Sequence, residues 1–130
     1  MTADDLTPDE LAILQQVFED ARNGDVDALS AALDRGVPVD LTNSAGDTAL
    51  ILAAYHTHEP LVRLLLDRGA DHARANDRGQ TALAAAVFRR NAPIVELLLD
   101  AGADPDAGPQ SARAVASFFE LDEMAALLNR

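Results

Sequence analysis

Apolar residues recur along this chain in short bursts, three and four apart, and a glycine stands after most bursts. Leu11, Leu14, Phe18 and Ala21 follow Thr7-Pro8 at those spacings, which predicts a helix from Pro8 to about Arg22 with one apolar stripe. Its start is legible. Thr7 suits the N-cap, Pro8 the first helical position, and Glu10 completes a capping box. Gly24 and Asp25 break this helix and begin a second, with Val26, Leu29, Ala32 and Leu33 facing inward and Gly36 just past its end.

From Asn43 the pattern is written twice. Gly46 falls on Gly79, 33 residues on, and with it Thr48 falls on Thr81, Leu50 on Leu83, Pro60 on Pro93, Val62 on Val95 and Gly69 on Gly102. Each copy predicts a turn (Asn43–Gly46 or Asn76–Gly79), a helix capped by Thr48 or Thr81, and a second helix with proline in its first turn. The first helices carry small residues, Ala53 and Ala54 or Ala86 and Val87, that permit close approach. The second helices are apolar on more than one side, through Leu61, Val62 and Leu64–Leu66 or Ile94, Val95 and Leu97–Leu99, and so are sandwiched. A fixed period of this size marks a stack whose units cannot bury their apolar faces alone.

The third turn, Asp104–Ala112, carries Pro105 and Pro109 and predicts a clipped hairpin. After it Ser111 takes the part of Thr81, the two-helix pattern repeats loosely, and Phe118 or Phe119 is expected to close the end of the core. One domain, 1–130, results, with capping units at 6–42 and 109–130 around full units at 43–75 and 76–108.

G-x-T-x-L, a small-residue helix, and a second helix ending L-L-L-x-x-G-A-D resemble the ankyrin repeat. The resemblance implies an all-α solenoid of stacked helix-turn-helix units with short β-turn fingers. It also implies a non-enzymatic protein-protein interaction module, an adaptor or regulator that grips a protein or peptide on a concave face. Carried over by position, the finger residues are Ser44, Ala45, Asp47, Asp77, Arg78 and Gln80. The helix residues are Tyr55, His56, Phe88 and Arg89, with Arg22 and Asn23 in the first unit. Tyr55 and Phe88 are either anchors for a partner or fillers of gaps between helices. Where the family usually has T-P-L-H this chain has Thr48–Ile51 and Thr81–Ala84, reading TALI and TALA. Ile51 and Ala84 are expected to leave that face apolar, and a structural or stress-related accessory protein that self-associates through it is the alternative function.

Composition narrows the chemistry. With Tyr55 and four Phe as the only aromatics, the core must be Leu, Ala and Val. The absence of cysteine excludes disulfides and thiolate sites, and the absence of lysine excludes Schiff-base chemistry. A net charge of −12 repels phosphate backbones and argues against nucleic acid as a partner. Ten acids in residues 1–42, Asp4 and Asp5 among them, face only Arg22 and Arg35, which marks either a solvated end face or a dock for a basic partner. No basic-then-apolar leader opens the chain and no membrane-length apolar run occurs, so no membrane partner and a cytoplasmic location are expected.

His56, His58 and Glu59, with His72 beyond, offer metal-ligating groups, but on elements too scattered for a tetrahedral site. The expected reading is a solvent-facing His56 and a His58 that stabilises its turn, with no metal or cofactor. Neither a nucleophile elbow nor a phosphate-binding loop surrounds any serine, and no catalytic residue stands out.

Overall fold

Eight helices form among residues 7–130, the part of the chain that the computed structural model describes. Asp4 and Asp5 of the acidic excess, and Leu6 at the expected start of the first unit, lie outside the described residues. The helices come in pairs: α1 (Pro8–Asn23) with α2 (Val26–Asp34), α3 (Ala49–Tyr55) with α4 (Glu59–Asp67), α5 (Ala82–Phe88) with α6 (Ala92–Asp100), and α7 (Ala112–Phe118) with α8 (Asp122–Leu128). First helices pack in one row, α1 on α3 on α5 on α7, and second helices in another, α2 on α4 on α6 on α8. This is an all-α repeat solenoid.

Local chemistry sets where each helix begins. The Thr7–Glu10 capping box is present at α1, and Asp25, Thr48, Thr81, Asn91 and Ser111 each accept a backbone N–H three residues on. Each such cap is worth about 1 kcal/mol. Between the two helices of each pair the chain reverses through one left-handed residue: Gly24 (φ 73°), Thr57 (65°), Arg90 (57°) and Glu120 (54°). A side chain there carries strain of about 1 kcal/mol, which the packing on either side of the turn sustains.

The core runs the length of the stack without a break. Leu50, Leu61, Leu65, Leu83, Ile94 and Leu98 are fully buried, and Ala53, Ala54, Ala85 and Ala86 line the seams between first helices. Each fully buried Leu or Ile contributes about 1.5–3 kcal/mol by leaving water. Two expectations fail here. Ile51 is 2% exposed and Ala84 0%, so neither supplies an apolar outer face; both lie on first helices that pack against their neighbours in the row. Phe118 is 80% exposed and Phe119 47%, so neither closes the core, which ends instead on Val115, Ala116, Met124 and Leu128.

The fingers are turns held by short bridges rather than strands. Gly46 and Gly79 adopt positive φ, and Asn43 and Asn76 each accept two backbone N–H groups across their turns. Neighbouring fingers are tied together. Asp77 N–H donates to the Ala45 carbonyl at 3.0 Å, Gln110 N–H to the Gly79 carbonyl at 3.1 Å, and the Asn76 amide to buried Asp47 at 2.8 Å. Among the described residues no helix is long and apolar enough to cross a membrane.

Candidate functional site

The seven-residue first helices α3, α5 and α7 each run from a capping hydroxyl to an aromatic. Counting seven from Thr48, Thr81 and Ser111 reaches Tyr55, Phe88 and Phe118, so the stack places one aromatic per unit along the same edge. Tyr55 and Phe88 stack with ring centroids 6.2 Å apart and planes 8° from parallel. Phe119 continues the row, 5.5 Å from Phe88 and edge-on at 69°, and Phe118 lies 4.9 Å beyond it. These separations fall within the range of favourable aromatic pairs. Tyr55 is half-buried and Phe88 40% exposed, while the Arg89 guanidinium carbon lies 5.3 Å from the Tyr55 ring centre.

Three recesses follow this row and share walls. The largest, about 560 Å³, lies between Tyr55, Phe88 and the finger residues Arg78, Gln80 and Gln110. Toward the N-terminal end Tyr55, Arg78 and Gln80 also bound a recess of about 230 Å³ that reaches His56 and Arg22. Toward the C-terminal end Phe88 bounds one of about 420 Å³ with Arg89, Arg90, Phe119 and Leu121. Together they form a groove between the finger bases and the ends of the first helices.

Of the residues anticipated from the sequence, Arg22, Asp47, Tyr55, His56, Arg78, Gln80, Phe88 and Arg89 line this groove. Ser44, Ala45 and Asp77 are exposed at the finger turns, and Asn23 is exposed at the end of α1. Asp47 is turned inward, its carboxylate accepting from Asn76, because the next finger closes over it. Phe119, Arg90 and Gln110 also line the groove and were not anticipated. Extending the Ser111-to-Thr81 correspondence by seven residues aligns Phe118 with Phe88, a signal the sequence did contain.

The histidines do not converge. His58 donates its Nε2–H to the Arg22 carbonyl at 2.6 Å, which ties the α3–α4 turn to the end of α1; a carbonyl can only accept, so Nε2 carries the proton. The His56 and His58 ring centres are 6.4 Å apart, and Glu59 faces Arg63 at 3.9 Å. Among the described residues no three His, Asp or Glu side chains are grouped to hold a metal ion.

His56 is half-buried rather than fully solvent-facing, and its imidazole is held below the ordinary histidine range. Burial is the first cause, followed by the positive charge of His58, Arg89 and Arg22, while Asp47 pulls the other way. The unfolded chain, with a histidine pKa of 6.5, therefore takes up this proton before the folded one. The stabilisation is fully present above about pH 6.5 and is lost as pH falls through the folded pKa. Thermal melts across that window are expected to show a larger drop on acidification for the wild type than for His56→Gln. Equal drops would refute the assignment.

The motif pattern of ankyrin repeats matches residues 17–108, in three copies. An ankyrin repeat protein of Pseudomonas aeruginosa is 43% identical over 51 residues, a stretch that makes up 39% of this chain and 30% of that protein. The match begins within α1 and takes in all of α2, and Gly24 and Gly36 hold the same left-handed turns as the later units. With more than half of its length matched and its helix pairs stacked in two rows behind linked fingers, the chain belongs to the ankyrin repeat family.

Proposed function

We propose that this chain is a non-enzymatic protein-binding module, acting as an adaptor or regulator, that seats an extended segment of a partner protein in the groove beside Tyr55, Phe88 and the fingers. Ankyrin repeats generally mediate protein-protein contacts, and that supports the class of function. The observation that carries this site is the aromatic row: exposed rings are held at one edge of a rigid stack, where aromatic side chains make interface hot spots. Units at 6–42, 43–75, 76–108 and 109–130 are the proposed boundaries, and the groove crosses all of them.

Alanine at both Tyr55 and Phe88 is expected to weaken partner capture at least about tenfold, in line with hot-spot truncations. Because neither ring belongs to the fully buried core, the melting temperature should move by only a few degrees. Pull-down with mass spectrometry, wild type against double variant, measures the first; calorimetry measures the second. Unchanged capture would place the binding surface elsewhere. Self-association loses its proposed basis with Ile51 and Ala84 buried, and light scattering over a concentration series tests it directly.

A further inference from the structure

The groove carries a charge opposite to that of the chain around it. Ten basic residues face 22 acidic ones in the whole sequence. Yet the charged side chains lining the three recesses are Arg22, Arg78, Arg89 and Arg90 against one carboxylate, Asp47. Asp47 is buried and bonded to the Asn76 amide, and this one carboxylate offsets at most one of the four arginines. Elsewhere four of the six arginines are answered, Arg63 by Glu59, Arg68 by Asp34, Arg113 by Asp106 and Arg130 by Asp100, while Arg35 and Arg74 form no salt bridge among the described residues. Within the groove only Arg22 has such a partner, Glu19 at 3.3 Å. Arg78, Arg89 and Arg90 form no salt bridge among the described residues.

Three unanswered guanidinium groups beside a row of rings form a mixed surface with two demands. Guanidinium forks match carboxylates, often through two parallel hydrogen bonds, and the rings favour an apolar or aromatic side chain laid on or against them. At physiological ionic strength charges act over about 8–10 Å, so the arginines that line the recesses, with Asp77, Glu120 and Asp122 beside lining residues in the chain, weigh more than acids farther off. The acidic remainder of the surface then repels segments that miss the groove. We infer that the occupant is an extended acidic segment of a partner protein, with carboxylates meeting Arg78, Arg89 and Arg90 and an aromatic or large aliphatic side chain against Tyr55, Phe88 and Phe119. This rests on the groove being the binding site, as proposed above.

The test uses three fluorescein-labelled peptides of equal length that share the same two phenylalanines, with the other positions acidic, neutral or basic, and an oligothymidylate of similar length. Anisotropy titrations at low and physiological salt are expected to show the acidic peptide binding at least about tenfold tighter than the others, and weakening as salt screens the contact. Combining Arg78→Glu, Arg89→Glu and Arg90→Glu should reverse the preference toward the basic peptide with the circular dichroism unchanged. Glutamate fits the left-handed turn at position 90 because Glu120 occupies the matching place at φ 54°. If the neutral or basic peptide or the oligothymidylate binds as tightly as the acidic peptide, or the acidic peptide fails to bind, the inference is overturned. Should the tight binder be lost in Phe88→Ala, the groove itself still stands. Acidic-peptide binding that survives both the arginine reversal and the Tyr55/Phe88 double alanine would sink the inference and the groove together.

Discussion

Leu83→Ala is expected to remove about 2–5 kcal/mol of stability, a large share of the 5–15 kcal/mol that holds a typical domain. Leu83 is fully buried on α5, and α5 packs on α3, on α7 and on its own partner α6. Shortening it withdraws apolar area and leaves a cavity that the neighbours fill only in part. The stability of a solenoid is close to a sum of unit terms and nearest-neighbour terms, so a defect in a central unit weakens two interfaces at once. Leu128, buried on the terminal α8, serves one. Urea titration should therefore show a larger loss for Leu83→Ala than for Leu128→Ala, with Leu83→Met costing less than about 1.5 kcal/mol. Equal losses at positions 83 and 128 would contradict a shared, continuous interior.

Gly24→Ala is the second large effect, for a reason visible only across the repeat boundary. Gly24 sits at φ 73°, but a left-handed backbone alone is tolerated in this fold, since Thr57, Arg90 and Glu120 hold it in the later units. What distinguishes Gly24 is its neighbour. An added Cβ would lie 2.5 Å from both Cγ and Nδ1 of His58, whose ring is anchored by its bond to the Arg22 carbonyl. The methyl group must therefore displace a ring that ties two units together. We expect a loss of about 2–3 kcal/mol, the backbone strain together with the broken hydrogen bond and packing. Gly36→Ala supplies the comparison: φ is 98° and nothing lies within 4 Å of the added carbon, so only backbone strain of about 1 kcal/mol remains. In a His58→Ala background the cost of Gly24→Ala should shrink to that same level. A double-mutant cycle with no coupling between positions 24 and 58 would disprove the contact.

The groove shows the same division between local and distant causes. Tyr55 and Phe88 could be placed at equivalent points from the 33-residue offset, because a seven-residue helix after a threonine cap repeats its geometry in each unit. Whether their rings would face outward depends on side chains from adjoining units, and so do the positions of Phe118 and Phe119. Asp47 illustrates the reverse. It sits beside a finger turn and reads as exposed, yet Asn76 from the following finger covers it and takes its carboxylate.

The sequence alone determined what depends on neighbours along the chain. Helix starts at Thr7, Thr48 and Thr81, reversals at Gly24 and Gly36, and finger turns at Gly46 and Gly79 are local matters of side-chain caps and allowed backbone angles. The period added the stacking, since equal units with unsatisfied apolar faces have only each other to bury them. Tertiary structure decided exposure and electrostatics. Only when the units are superposed do Ile51 and Ala84 become buried, the rings line up, and Arg78, Arg89 and Arg90, eleven or more positions apart or adjacent in the chain, share one groove without salt-bridge partners among the described residues. Burial and charge are sums over everything nearby in space, and most of what is nearby in this fold lies one repeat away.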